Sequence, residues 1–276
     1  LPATLTAAPA MRVPVVVRET RIEDLAQIEG LLRRRLGHDA AYWAYRSGRL
    51  VSHELSRPDE LAGYPRYGYC AALGDQIIGS IFTLWSKVDG ELRCQLVHWA
   101  TEEGFLGLGY MLAGRALSHP FTTYIVQAHT PDVEELLMAQ GYRRFSCGRH
   151  VAPFVHFLKV GKISEATDRL SLAHRELGCI ALNCNDASYV FLPRKNWCVP
   201  FLRLVYCPSL DQLVRHWPML SRHLGLRGWP FCQIDSNGPI AGIAGRFVKG
   251  WPKYWRGHAP PRPEIMAYSA RVLWHN

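Results

Sequence analysis

Six consecutive residues, Gly104-Phe105-Leu106-Gly107-Leu108-Gly109, carry the clearest chemical signal in the chain. They follow a strand-like run and precede a helix-like one. Glycines let a backbone come close to a ligand, and the free N–H groups of a helix start face an anion such as phosphate. The same spacing also makes a plain strand-to-helix turn. No Lys-Ser or Lys-Thr follows, so this is not a P-loop, and it lies after the fourth strand, where a dinucleotide fingerprint would lie after the first. A second segment runs from Gly245 to Arg262. In it Arg246, Lys249, Lys253, Arg256 and Arg262 interleave with Phe247, Trp251, Tyr254 and Trp255. Aromatic faces stack on sugars or bases, and the cations pair with phosphates or carboxylates. The alternative is an irregular loop whose aromatics close a core. Asp235 and Asn237 stand where a strand gives way to a turn, a place for functional side chains and equally for ordinary turn chemistry.

The elements that must position these residues are readable from periodicity. Val13–Val17 is β-branched and reads as a strand. Ile22, Leu25, Ile28, Leu31, Leu32 and Leu36 are spaced as one face of a helix, with Glu23 and Asp24 in its first turn. Residues 40–54 read as a second helix. Residues 67–73 and 76–85 are strands joined at Gly74-Asp75, and 92–99 is another. A helix over 110–118, a strand over 122–128, a helix over 131–140 and a strand over 154–160 follow. The order is β-α-α-β-β-β-α-β-α-β. The remainder predicts a helix at 165–177, strands at 179–184, 189–192 and 201–206, and a helix from Ser209, a good N-cap. A strand at 231–235, an ordered loop over 250–263 and a last strand at 268–273 complete the chain.

Composition bounds the function. The chain has 276 residues, 48% of them hydrophobic, enough for one large domain or two smaller ones. Its formal charge is +9. Residues 1–160 carry 17 basic and 16 acidic side chains, and residues 161–276 carry 15 and 7. The excess therefore belongs to the second part, which excludes a uniformly basic chromatin-type protein and points to an anionic partner there. The eight cysteines form no C-x-x-C pair and mostly sit in apolar runs. They read as reduced, buried thiols of a cytoplasmic protein, and no metal is expected. No apolar run approaches the ~18 residues of a membrane helix. Leu1–Ala10 does not read as a signal peptide, Met11 is a candidate start, and the residues before it read as added sequence or a disordered leader.

The order of elements from Val13 to Val160 resembles the GNAT superfamily of CoA-dependent N-acyltransferases. Val15–Ile28 is similar to its opening strand and helix. Ala71–Phe82, with Gly79 late in the second strand of a hairpin, is similar to its central hairpin. Leu96–Leu112 is similar to its CoA motif, (Q/R)-x-x-G-x-(G/A), with Gly107 and Gly109 on the two glycine positions. Leu136–Phe145 is similar to its later helix, ending in Gly141-Tyr142. Three positions depart from the family. Gly104 stands where it has Gln or Arg, Leu137 where a tyrosine acid often follows, and Thr130 near the usual asparagine.

The resemblance implies a mixed, mostly antiparallel sheet flanked by helices, here a GNAT-like acyl-CoA-binding domain over 12–160. It implies an acetyl-CoA or other acyl-CoA donor whose pantetheine lies along Leu96, Val97, His98 and Trp99. The donor pyrophosphate would lie on Gly104, Phe105, Leu106, Gly107, Leu108 and Gly109. An amine would attack the thioester directly, with a strand N–H polarising the carbonyl. His98 is the candidate base, since imidazole titrates near neutrality; its other reading is a hydrogen-bonded core histidine. Glu102 and Glu103 are further candidates, or a solvated turn. Tyr110 or Tyr142 could replace the missing acid, or simply pack.

Residues 201–235 follow the same strand–helix–strand order as 92–128. A degenerate GNAT-like second domain over 161–276 is therefore expected. Its junction is Cys207-Pro208-Ser209, without glycines, so it is not expected to bind CoA. Asp235, Asn237, Lys253, Tyr254, Trp255 and Arg256 are its acceptor-side candidates. The expected activity is acyl transfer from acyl-CoA to an amine, an amino sugar or a sugar hydroxyl, with a small-molecule or saccharide acceptor, neutral or anionic, and with nucleic-acid binding the weaker reading of the basic second part. The alternative is a non-catalytic CoA-binding or partner-binding module.

Overall fold

A computed structural model describes residues 14–55, 59–88, 90–105, 107–127, 131–155, 161–196, 198–257 and 260. The first ten elements are β1 (Val15–Glu19), α1 (Leu25–Leu36), α2 (Ala40–Leu55), β2 (Tyr69–Leu73), β3 (Gln76–Val88), β4 (Glu91–Thr101), α3 (Leu108–Ala116), β5 (Thr122–Gln127), α4 (Pro131–Ala139) and β6 (Arg143–Pro153). Then come β7 (Ile163–Glu165), α5 (Arg169–Glu176), β8 (Ile180–Cys184), β9 (Ala187–Asn196), β10 (Val199–Tyr206), α6 (Leu210–Gly225), β11 (Phe231–Ser236) and β12 (Arg246–Arg256). The fold class is the expected one, helices on a mixed, mostly antiparallel sheet.

The described residues fall into two compact units. The first lies within Leu1–Glu54, Gly63–Thr83 and His98–Ser118, the second within Leu55–Ala62, Leu84–Val97 and His119–Asn276. This division is cut differently from 12–160 and 161–276.

In the first unit, β1 pairs antiparallel with β2, and β2 with β3 through the Gly74-Asp75 turn. α1 buries Leu25, Ile28, Leu31 and Leu32 and ends at Gly37, whose φ of 76° an L side chain resists. Gln27 fastens this helix to the hairpin. Its Nε2 donates to Asp75 O at 3.1 Å and its Oε1 accepts from Ile77 N at 3.0 Å. Gly79 faces α3. A Cβ there would come within 3.0 Å of Leu112 and 3.2 Å of Leu108, so the glycine sets how closely that helix sits on the hairpin.

In the second unit the strands run β4-β5-β12-β6-β11-β10-β9-β8-β7. Two neighbouring pairs are parallel, β4 with β5 and β10 with β11. β6 follows β5 in the chain yet pairs with β11, and β12 follows β11 yet pairs with β5. β6 and β12 also pair with each other. Each strand–helix–strand half thus lends its final strand to the other. Side chains alternate across the strands. Leu202, Leu204, Cys232 and Ile234 face α6, packing on Leu213, Trp217, Leu220 and Leu224. Val205 faces the other way, with Ala181, Val190 and Leu192. Cys70, Cys94, Cys179, Cys184, Cys207 and Cys232 are buried free thiols, and Cys198 is an exposed one.

Three expectations are corrected. The strand expected at 154–160 lies earlier, as β6, and residues 156–160 are outside the described set. Its Arg143, Arg144, Arg149 and His150 hid it from a hydrophobic pattern. The loop expected over 250–263 is, as far as Arg256, a strand paired on both edges. Gly250 and Pro252 sit in its register shift between Lys249 and Lys253, where a missing N–H costs no ladder bond. The helix expected from Glu165 begins at Arg169, because Asp168 is the residue that caps it. The strand expected at 268–273 lies outside the described residues.

Candidate functional site

β4, the glycine turn and α3 form the site the sequence singled out. The register of β4 with β5 runs from Leu92↔Thr122 to Gln95↔Ile125, while β4 itself continues to Thr101. Leu96 is buried, and Val97, His98 and Trp99 are partly exposed. Glu102 N donates to Ile78 O at 2.8 Å, which holds the start of the turn on β3.

Gly104 and Gly107 have φ of 83° and 80°, the left-handed region that a side chain disfavours. Gly107 is the N-cap of α3, and no side chain caps that helix. Leu108 N donates to Phe105 O at 3.4 Å, which leaves the N–H groups of Gly109 and Tyr110 and the helix dipole to meet an anion. Leu108 is buried and anchors the helix start, and Phe105 is partly buried. Leu106 lies outside the described residues. Gly109 rests on the Trp99 indole, where an added Cβ would lie 3.4 Å from the ring. The structure thus places Trp99 of β4 against Gly109 in the first turn of α3. The turn supplies peptide dipoles and no basic side chain.

His98 interrupts β4 with φ of 48°, a backbone state uncommon for an L residue inside a strand. Its ring lies edge-on to Trp43 at 4.8 Å and to Phe82 at 6.1 Å. Its Nε2 is 3.4 Å from Arg46 Nη1. Burial lowers the pKa of Arg46, whose guanidinium also lies 4.4 Å over the Tyr42 ring. Arg46 and Trp43, both on α2, were not visible as site residues, because a helix face of mixed aromatic and basic side chains names no partner.

The two carboxylates of the turn are engaged. Glu102 pairs with Arg34 and Glu103 with Arg35, both from the last turn of α1. These pairs link the turn to α1. The run Arg33-Arg34-Arg35 was the signal in the sequence for these partners. Tyr110 is exposed in the first turn of α3. Tyr142 is buried after α4, and burial pushes its phenol up. Simple packing, its other reading, fits this placement, and Leu137 is buried too.

The acceptor-side candidates lie in the second unit. Asp235 is 3% exposed inside β11 and accepts from Arg203 of β10 and Lys253 of β12. Lys253 and Tyr254 are buried, and Trp255 packs with Ile125 and Phe145. Asn237 and Arg256 are exposed. Asp235 and Lys253 thus sit in an ion cluster and Trp255 in a core, the alternative the sequence left open for the aromatics, while Asn237 and Arg256 face solvent. Arg203 was missed because it stands in an otherwise apolar strand.

No family model matches the chain, and no curated protein sequence matches it. Solved structures do. A putative acetyltransferase from Pyrococcus horikoshii is similar over 95% of both chains, with a TM-score of 0.53 and 12% identity. A GCN5-related N-acetyltransferase from Anabaena variabilis is similar over 88% of this chain and 72% of its own, with a TM-score of 0.59 and 10% identity. The fold is that of the GCN5-related N-acetyltransferases. A fungal β-N-acetylglucosaminidase contains a glucosamine N-acetyltransferase region with the same GNAT fold. It is similar over 92% of this chain and 39% of its own, with a TM-score of 0.55 and 13% identity. The GNAT likeness extends past the first half, since it takes in most of both halves of the chain.

Proposed function

We propose that the chain is an acyltransferase that moves an acetyl or other acyl group from acyl-CoA to an amine. The observation that carries this reading is the uncapped start of α3 behind two left-handed glycines, at the end of β4, on a GNAT fold. The donor pyrophosphate lies on the N–H groups of the turn, and its pantetheine runs along Leu96–Trp99. The amine nitrogen attacks the thioester carbon, the C–S bond breaks, and CoA leaves as thiolate. The amine proton passes to His98, whose Nε2 lies 3.4 Å from Arg46 Nη1. Tyr110, exposed in the first turn of α3, is the candidate acid for the leaving thiolate.

An amino sugar is the favoured acceptor. The fungal neighbour is named for glucosamine, and the basic second half suits a polar or anionic molecule. The second half, with Cys207-Pro208-Ser209 at its junction, is a degenerate GNAT-like copy that binds no CoA. The free thiols favour a reducing, cytoplasmic setting. Among the described residues no helix is long and apolar enough to cross a membrane.

A second reading is a CoA-binding module without turnover, favoured by the engagement of Glu102 and Glu103 and by Leu137 in place of an acid. Calorimetry with acetyl-CoA and longer acyl-CoAs tests both readings. Binding is expected, and Gly107→Trp should abolish it. Release of thiol with a panel of amines and amino sugars supports the enzyme. Binding with no release across the panel supports the module, and no binding to any acyl-CoA refutes both.

A further inference from the structure

The second unit contains a charge cluster that the acyl-transfer reading does not use. Strand alternation and register build it. Gln233 and Asp235 lie on the face of β11 opposite α6. Arg203 of β10 is the register partner of Gln233, and Arg149 of β6 is the partner of Asp235. Arg203 and Lys253 both donate to Asp235, one to each carboxylate oxygen. Arg149 Nη1 donates to Gln233 Oε1 at 3.3 Å.

Three cations therefore surround one carboxylate. Asp235 and Lys253 are each 3% exposed and Arg203 8%, while Arg149 and Gln233 are partly exposed. No second carboxylate pairs with Arg149, Arg203 or Lys253 among the described residues. The cluster holds more positive than negative charge in a place from which water is largely excluded, and such an excess is costly to bury. The guanidinium fork is suited to bidentate binding of an oxyanion.

We propose that Arg149, Arg203 and Lys253 form an oxyanion subsite that takes the phosphate or carboxylate group of a small molecule, with Arg149 and Gln233 at its mouth. The titration of the cluster agrees with an unmet positive charge. The two cations hold Asp235 down to about 2, and burial with the neighbouring Arg203 and Arg149 pulls Lys253 down to about 8. Both groups are driven to shed protons, and an arriving anion reverses this for Lys253. The subsite does not rest on the acyltransferase reading, since it uses none of the residues of the glycine turn.

The test uses the full chain at fixed ionic strength in a buffer free of phosphate and carboxylate. Inorganic phosphate and acetate are titrated separately while the melting temperature is followed. One of them should raise it along a saturable curve, and which one does so identifies the group. Arg149→Met should weaken that anion at least tenfold, and Arg149→Lys should retain part of the affinity. Calorimetry near pH 8.5 in two buffers of different ionisation enthalpy reads the unaltered chain, where anion binding should take up protons. A melting temperature unmoved by either anion overturns the proposal. An equal response in wild type and Arg149→Met, or binding without proton uptake, does so as well.

Discussion

β4-α3-β5 and β10-α6-β11 share one plan and use it differently. In each, a strand leads through a turn into a helix and then into a parallel strand. Leu92↔Thr122 in the first corresponds to Leu202↔Cys232 in the second, and each leucine is followed by a buried arginine, Arg93 and Arg203. The helix starts differ. Gly107 leaves α3 uncapped, whereas the Ser209 side chain accepts from Gln212 N at 3.1 Å and closes α6. The parallel strands differ as well. Ile125 packs with Phe145 and Trp255, while Asp235 in the corresponding place binds Arg203 and Lys253. One half has an uncapped helix start and an apolar cluster at Ile125. The other closes its helix end and places charge within the sheet. A strand–helix–strand scaffold thus settles where a site can be, and a few side chains settle which kind it is.

The largest effect should come from removing the buried carboxylate of the charge cluster, Asp235. Asp235→Ala leaves Arg203 and Lys253 buried without a counter-charge, and breaking a buried pair in this way costs about 3–5 kcal/mol. Urea unfolding should show that loss. Ile125→Ala, at the corresponding place in the other half, should cost about 2–4 kcal/mol through its cavity. If Asp235→Ala proves the milder of the two, the charge cluster is not what distinguishes the halves.

Next in size is a pH effect confined to the second half. The folded-state pKa of Lys253 lies near 8, below the 10.5 of the unfolded chain. Between those values the unfolded state binds more protons, so this group makes stability rise with pH there. Below about 8 its full penalty applies. Buried tyrosines and thiols, raised by burial, pull the other way. The readout is therefore the difference between wild type and Lys253→Met across pH 8 to 10.5, expected to change by about 1–3 kcal/mol. A constant difference would show that Lys253 titrates normally.

Smaller again is the helix cap. Ser209→Ala removes the bond to Gln212 N and should cost about 1 kcal/mol in thermal or urea unfolding. It should leave any acyl-CoA affinity unchanged, because on the proposed reading only the other helix start meets the donor.

Much of the first half was legible in the sequence because its signals are local. The helical spacing from Ile22 to Leu36, the Gly74-Asp75 hairpin and the glycine turn each declare themselves within a dozen residues. Ser209 as an N-cap was legible for the same reason. What escaped was long-range. Nothing near Lys253 or Trp255 tells that β12 inserts between β5 and β6, because that placement depends on partners more than a hundred residues away. The charged residues of β6 hid a strand whose two edges are both paired. Arg203 and Asp235 could not be matched by pattern, since an ion pair across two strands leaves no periodicity. The exchange of β6 and β12 between halves is long-range in the same way, and no local signal near residue 160 marks it.

The smallest effect expected is at the surface pairs of the glycine turn. Arg34 and Glu102 are a pair with side-chain exposures of 57% and 21%, in contrast to the 10% and 3% of Arg203 and Asp235. Water screens the first pair and not the second, so their coupling energies should differ several-fold. A double-mutant cycle with Arg34→Met and Glu102→Gln should give about 1 kcal/mol or less, shrinking as salt is raised. Glu102 also has its backbone N–H on Ile78 O, which Gln at this position preserves, so the cycle reports the side-chain pair alone. The same cycle on Arg203 and Asp235 should give a larger coupling that salt barely changes. Equal couplings, or equal salt sensitivity, would mean that solvent reaches the cluster in the sheet as freely as it reaches the turn.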